Sequence, residues 1–297
     1  MNNNIKKVLY NIKNFGLFFG IDFLFHKVFK KNEWKTRKRA IRILDKRFGY
    51  IFQENASKGK NVNPFEKNIF VFWGQGFYSL PEIPKACIES IKCYYPDYNL
   101  FCISLENYMN YVDIDKKIVS LFEKGKISIQ TFSDILRFQL IYKYGGVWCD
   151  ATLLFFDRIE FDKQLQEKSF YSLNINCKEK RDLWGKVYPV TYTTFFFAAR
   201  KNSYILDSVN RAYIEYYHTY DFVIDYFLND YFLILASMYK VEDDALSKIS
   251  FTTGNPFYLL NSLNAKQKKV DISQCKIIPQ KITWRGVTLD GVEYYGQ

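Results

Sequence analysis

Two carboxylates and a guanidinium stand in the stretch SIQTFSDILRFQLIYKYGGVWCDATL, residues 128–153: Asp134, Arg137 and Asp150. Together they suit phosphate oxygens and a cation bound to them. The fork of an arginine donates several hydrogen bonds to oxyanions. Mg²⁺ and Mn²⁺ prefer oxygen ligands, often one or two carboxylates plus the substrate's own phosphates. On a helix, Gln130, Asp134 and Arg137 follow i, i+4, i+7 spacing and share one stripe, beside an apolar face of Ile129, Phe132, Leu136 and Leu140. A structural ion pair between Asp134 and Arg137 at i, i+3 accounts for those two charges. It leaves Gly145, Gly146 and Asp150 without a role. The glycines let the backbone turn tightly from helix to strand, and Asp150 then emerges at a strand end, where a cation bound to phosphates would sit.

Such residues need a scaffold, and the surrounding sequence predicts one. IFVFWG (69–74) and YNLFCIS (98–104) read as short apolar strands, and PEIPKACIESIKCYYP (81–96) as a helix between two prolines. LENYMNYV (105–112) and IDKKIVSLFEKGK (114–126) read as short helical pieces, and VWCDATLLFF (147–156) as a further strand. Strands alternating with helices imply an α/β fold, a mostly parallel sheet with helices on its faces. Ligands of such sheets bind beyond the carboxyl ends of the strands, where this reading places Trp73, Gly74, Ser104 and Asp150.

The formal net charge of +11 is uneven: residues 1–60 hold 15 Lys and Arg against 4 Asp and Glu, which accounts for all of it. The remainder is neutral and lacks any nucleic-acid motif, so the high pI is no sign of a nucleic-acid partner. Residues 1–60 read as one or two helices with an apolar face of Ile5, Val8 or Leu9, Ile12, Phe15 and Phe19. The most apolar run, 15–29, contains Asp22, His26 and Lys27 and is too short and polar to span a bilayer. A basic amphipathic segment of this kind fits an anionic membrane surface; a helical hairpin packed on the body is the plainer alternative. KGKNVNPFEKN (58–68) reads as a linker, which divides the chain into a basic segment, 1–60, and a main domain, 61–297. The cysteines, Cys87, Cys93, Cys102, Cys149, Cys177 and Cys275, form no CxxC pair, and reduced thiols in a cytosolic protein account for them.

The spacing S-D-x-x-R followed by Y-G-G-x-W-x-D resembles the core motif of the capsular polysaccharide synthesis protein family. More distantly it is similar to yeast-type α-1,6-mannosyltransferases and to the glucosylating domains of clostridial toxins. The resemblance is strongest over 68–156, and TTFFFAARKNSYIL (193–206), VIDYFLNDYFL (223–233) and IIPQKITWRG (277–286) are weaker echoes. It implies a GT-A fold, a nucleotide-sugar donor such as a UDP-sugar, Mn²⁺ or Mg²⁺, and transfer with retention of anomeric configuration. Asp134 and Arg137 match the pair that holds donor oxygens, and Asp150 the first carboxylate of a D-x-D metal motif. Trp73 and Gly74 match the nucleoside-binding strand end. Lys281 and Trp284 lie in a K-x-T-W segment that, by resemblance, closes over the diphosphate.

Two departures stand out. The D-x-D motif reads Asp150-Ala151-Thr152, which leaves one carboxylate and a hydroxyl as metal ligands, and Gln280 occupies a place that is histidine in some relatives. Asp225 and Asp230 are candidates for acceptor or sugar hydroxyls, Asp230 being taken as catalytic with Asp150 and Arg137; His26 and His218 are expected to be bystanders. The expected function is a glycosyltransferase that extends a lipid-linked capsule or surface-glycan precursor at the inner face of a bacterial cell membrane. A nucleotide-sugar hydrolase, a pyrophosphorylase and a non-catalytic scaffold of the synthesis machinery are the alternatives. A pyrophosphorylase ordinarily needs a Gly-rich phosphate loop near its N-terminus, and the sequence has none.

Overall fold

The computed structural model describes residues 3–29, 33–175 and 192–296; Cys177 and part of the basic run after Phe29 lie outside the described residues. Three helices open the chain: α1 (Asn3–Phe15), α2 (Leu17–Phe29) and α3 (Glu33–Ala56). Strand β1 (Asn68–Phe72), helix α4 (Glu82–Tyr94), strand β2 (Asn99–Ile103) and helices α5 (Lys116–Glu123) and α6 (Ile129–Tyr144) follow. Then come strands β3 (Gly146–Cys149) and β4 (Leu153–Leu154), helix α7 (Phe161–Glu167), and strands β5 (Phe170–Ser172) and β6 (Phe196–Ala199). Helices α8 (Tyr204–Thr219) and α9 (Leu228–Met238) lead through a run of short helices and two-to-three-residue strands into strand β7 (Gln280–Lys281).

The central sheet runs β2-β1-β3-β6-β5. Strands β1, β2 and β3 are parallel, and β6 is antiparallel to both its neighbours, so four of the five strands point one way. This is the expected mostly parallel sheet with one reversed strand. One side of it, together with the helices, buries Phe70, Phe132, Leu136, Trp148, Tyr213 and Phe232, and the other buries Val71, Ile88, Phe155 and Phe161. Each such side chain contributes about 1.5–3 kcal/mol by leaving water.

The predicted strand 147–156 is two strands. Leu153 N–H donates to Asp150 O at 3.0 Å, which closes a turn over Asp150, Ala151 and Thr152. The short β4 beyond it leaves the main sheet and pairs antiparallel with β7, Leu153 opposite Lys281. The turn from α6 into β3 uses the two glycines as expected. Gly145 has φ +68° and Gly146 φ +107°, and a Cβ on Gly146 would stand 2.4 Å from Asn68 O in β1. Only a glycine lets β3 lie this close to β1.

The N-terminal segment is three helices, one more than the periodicity suggested, and the Phe15–Phe19 end of its apolar stripe faces inward while Leu9 is exposed. Phe15 and Phe19 are buried, Phe15 against Tyr220 with ring centroids 4.7 Å apart. Helix α3 carries Leu44, Phe48 and Phe52 into the same core as α8 and α9, with Phe48 against Tyr216 and Phe232 at 6.1 and 6.3 Å. What remains outside is a second apolar face on α2, Leu17, Phe18, Ile21 and Leu24, together with exposed Lys35, Arg42, Lys46 and Arg47 of α3.

Candidate active site

Helix α6 begins with Ser128, whose Oγ accepts from Thr131 N–H at 3.2 Å and caps it. Its buried stripe of Phe132, Leu136 and Leu140 fixes the helix on the sheet, and that fixes where Asp134 and Arg137 point. Arg137 is buried at the hub of the site. Its Nη2 lies 3.1 Å from Asp134 Oδ1 and 3.5 Å from Asp150 Oδ1, and its Nη1 donates to Thr194 O at 2.6 Å. The guanidinium also lies over the Trp148 ring, 5.0 Å from its centroid. The pair expected on α6 is thus a triad, because β3 delivers Asp150 to the same cation.

Asp150 is fully engaged. Trp148 Nε1 donates to its Oδ1 at 2.8 Å, and Lys281 Nζ to its Oδ2 at 2.7 Å. Lys281 Nζ also donates to Thr152 Oγ1 at 2.7 Å. Burial opposes ionisation of Asp150, but Lys281 and Arg137 outweigh it and hold the carboxyl below its usual range. Asp134 goes the other way. Burial pushes it up to about 7, the attraction of Arg137 opposes this, and the nearby Asp150 and Asp230 add to the rise.

These groups line one cavity of about 460 Å³ at the carboxyl ends of β1 and β3. Trp73, Gly74, Thr152, Asp230 and Trp284 line it too, so the residues expected at the site by sequence are brought to it except Ser104 and Asp225. Asp225 instead accepts from Tyr231 O–H at 2.7 Å. His218 is tied to Asp115 at 3.1 Å on the surface, away from the cavity; the His26 side chain lies outside the described residues. Trp73 and Trp284 meet edge to face with centroids 5.5 Å apart and an interplanar angle of 80°. Contributors that were missed include Thr194, Phe195, Tyr226, Asn229 and Arg285. Asn229 Nδ2 donates to Thr194 Oγ1 at 3.1 Å, linking the start of α9 to the carbonyl that Arg137 holds. Nothing in their local pattern marks these residues, although they lie inside the echo segments 193–206, 223–233 and 277–286.

For a protein-held divalent ion the sequence offered Asp150 and Thr152. An ammonium already bridges those two side chains. Among the described residues no group of three or more His, Cys, Asp or Glu stands where it could hold a metal. One carboxylate paired with two cations, plus a hydroxyl that accepts from one of them, is a poor fit for Mg²⁺ or Mn²⁺: the ion would have to displace Lys281 and take its other ligands from water and substrate phosphates.

The profile of the capsular polysaccharide synthesis proteins matches residues 21–290, nine-tenths of the chain. The chain belongs to that family. The match begins inside α2, so the family's characteristic sequence crosses the division expected near residue 60. A curated relative, "O-glycosyltransferase braB" of Annulohypoxylon truncatum, is 26% identical over 105 residues, 32% of this chain and 25% of that protein. The chain thus matches about a quarter of that relative's length. A solved structure described as "PaToxG Glycosyltransferase" aligns with a TM-score of 0.37 and 17% identity, covering 73% of this chain and 91% of that one.

Proposed function

We propose that this capsular polysaccharide synthesis protein transfers a sugar from a nucleotide-sugar, UDP-linked, to a lipid-linked acceptor at an anionic membrane surface, with retention at the anomeric carbon. The observation that carries the reading is the assembly of Trp73, Asp134, Arg137, Asp150 and Lys281 around one cavity at the sheet's carboxyl edge, from segments more than two hundred residues apart. The cavity has what a nucleotide-sugar needs: aromatic faces for a base or sugar ring, and cations for a diphosphate. Trp73 and Trp284 supply the first, and Arg137, Lys281 and Arg285 the second. Asp134 and Asp230 are placed to accept hydrogen bonds from hydroxyls of the transferred sugar or the acceptor. Family membership and the name of the curated glycosyltransferase relative support the same activity.

The membrane part of the reading rests on a different face. Leu17, Phe18, Ile21 and Leu24 are 38–73% exposed on α2. Phe18 lies beside Arg39, whose guanidinium is 5.6 Å from its ring centroid. Apolar side chains flanked by lysine and arginine suit the headgroup boundary of an anionic bilayer. Among the described residues no helix is long and apolar enough to cross a membrane.

The test is incubation of the purified protein with a panel of radiolabelled nucleotide-sugars and a bacterial lipid extract. Label entering the lipid phase from one donor, and lost with Asp150→Ala in a protein that still folds, is the expected result. Free sugar released at the same rate with or without lipid would make the protein a hydrolase. Binding of a nucleotide-sugar with no turnover, unaltered by Asp150→Ala, would favour the scaffold.

A further inference from the structure

We propose that Lys281 is the cation that meets the departing diphosphate, in the place where a metal-dependent transferase would hold a divalent ion. The inference rests on the reading of a nucleoside-diphosphate donor and deepens it. Its basis is the position of Lys281 Nζ, 2.7 Å from both Asp150 Oδ2 and Thr152 Oγ1, the two side-chain oxygens that the D-A-T motif would offer an ion. Both carboxylate oxygens of Asp150 are in use, since Oδ1 accepts from Trp148 at 2.8 Å with Arg137 3.5 Å away. A divalent ion would have to displace the ammonium to reach them.

The lysine is built into this position. Its strand pairs with β4, so that Ile282 N–H donates to Thr152 O at 3.0 Å, while Lys281 N–H donates to Pro256 O at 2.6 Å. The backbone is anchored on both sides, and the side chain is 22% exposed. An ammonium has three donors. Two are taken by Asp150 and Thr152, which leaves one for an oxygen in the cavity that Lys281 lines with Trp73, Arg137 and Trp284. Asp150 and Thr152 become positioning residues, whose task is to aim the lysine.

In the step this serves, the bond between the anomeric carbon and the diphosphate oxygen breaks, and its electron pair stays on the diphosphate. The acceptor hydroxyl oxygen forms the new bond to carbon, and its proton passes to the departing diphosphate. Lys281 stays protonated throughout and offsets the charge that collects on the leaving group. No further reactant is needed.

The experiment is calorimetric titration of UDP, GDP and CDP into the full chain, once in EDTA and once in Mn²⁺, for wild type, Lys281→Met and Lys281→Arg. Folding of the variants is checked by circular dichroism and melting temperature. A nucleoside diphosphate is expected to bind wild type in EDTA within about twofold of its affinity in Mn²⁺. Lys281→Met should bind at least about tenfold more weakly, the loss of one charge-assisted hydrogen bond, and Lys281→Arg should recover part of it. Wild-type binding that appears only with Mn²⁺ would overturn the inference while leaving the donor reading intact. So would unchanged binding by a folded Lys281→Met. Failure of wild type to bind any of the three nucleotides in either buffer would bring down the donor reading, and this inference with it. The comparison of the two buffers on wild type decides the matter even if Lys281→Met does not fold.

Discussion

Asp134 is pulled between burial and its neighbours. Arg137 alone would keep it ionised, yet burial, with Asp150 and Asp230 close by, pushes it up to about 7. An unfolded aspartate loses its proton near pH 4. The folded chain therefore holds one more proton than the unfolded chain between those values, and stability falls as pH rises through that window. Asp134→Asn is expected to flatten this dependence, so that its urea midpoint relative to wild type is higher at pH 8 than at pH 5. If donor hydroxyls bind the ionised form, wild-type donor affinity should rise across pH 6–8 and the variant's should not. Arg137→Ala takes the counter-ion from Asp134 and leaves Asp150 to Lys281 alone, and is expected to cost about 3–5 kcal/mol, measured by denaturant unfolding. Arg137→Lys keeps the charge without the fork, and should retain more stability than donor affinity. Asp134, Arg137 and Asp150 were legible from the sequence because they share one contiguous motif. The contact between Lys281 and Asp150 was not, since 131 residues separate them and a two-residue strand pairing leaves no periodic signature. Asp225 and Asp230 looked alike in sequence; only the fold shows that Tyr231 occupies the first and the cavity receives the second.

Helix α6 and strand β3 act as one positioning unit, and the glycine pair is its joint. Gly146→Ala would put a methyl group 2.4 Å from Asn68 O at φ +107°, and β1 would have to move. A loss of about 2–4 kcal/mol is expected, from overpacking and backbone strain together, read as a lowered urea midpoint. Gly125→Ala shares the strain of positive φ, +66°, but meets nothing within 4 Å, so it should cost no more than about 1–2 kcal/mol. The difference between the two isolates the close strand approach. Elements of this kind were readable: β1, α4, β2 and α6 fall within a residue or two of where hydrophobic runs, prolines and glycines put them. The long strand through Asp150 was not, because the apolar run VWCDATLLFF carries no breaker at the turn. The reversed strand β6 was equally hidden, since strand direction depends on the path of the chain between strands.

At the scale of the whole molecule, the basic N-terminal helices are both core and surface. Phe15, Phe19, Leu44, Phe48 and Phe52 belong to the main hydrophobic core. Deleting residues 1–60 would open that core and is a poor test of membrane binding. Phe18→Glu with Leu24→Glu alters only exposed positions and should leave the melting temperature within a few degrees. Each apolar side chain withdrawn from a bilayer forfeits about 1.5–3 kcal/mol. The double variant is therefore expected to fall by at least tenfold in sedimentation with phosphatidylserine vesicles, and wild-type binding to weaken as salt is raised. Equal sedimentation of the two proteins would remove α2 from the membrane reading. The periodicity of the segment was legible, but which of its faces points inward was decided by α8 and α9, far along the chain.

The edge-to-face contact between Trp73 and Trp284 gives the molecule an optical reporter of its own. One indole belongs to the end of the first strand and the other to the C-terminal segment, so a base that slides between or against them changes the surroundings of both. Their emission should quench or shift in colour on occupancy, with no dye attached. Replacing Trp284 with phenylalanine removes one indole of this pair from the five tryptophans of the chain, and the difference between the stopped-flow traces of the two proteins would then time the arrival of a nucleotide separately from any movement of the segment behind it.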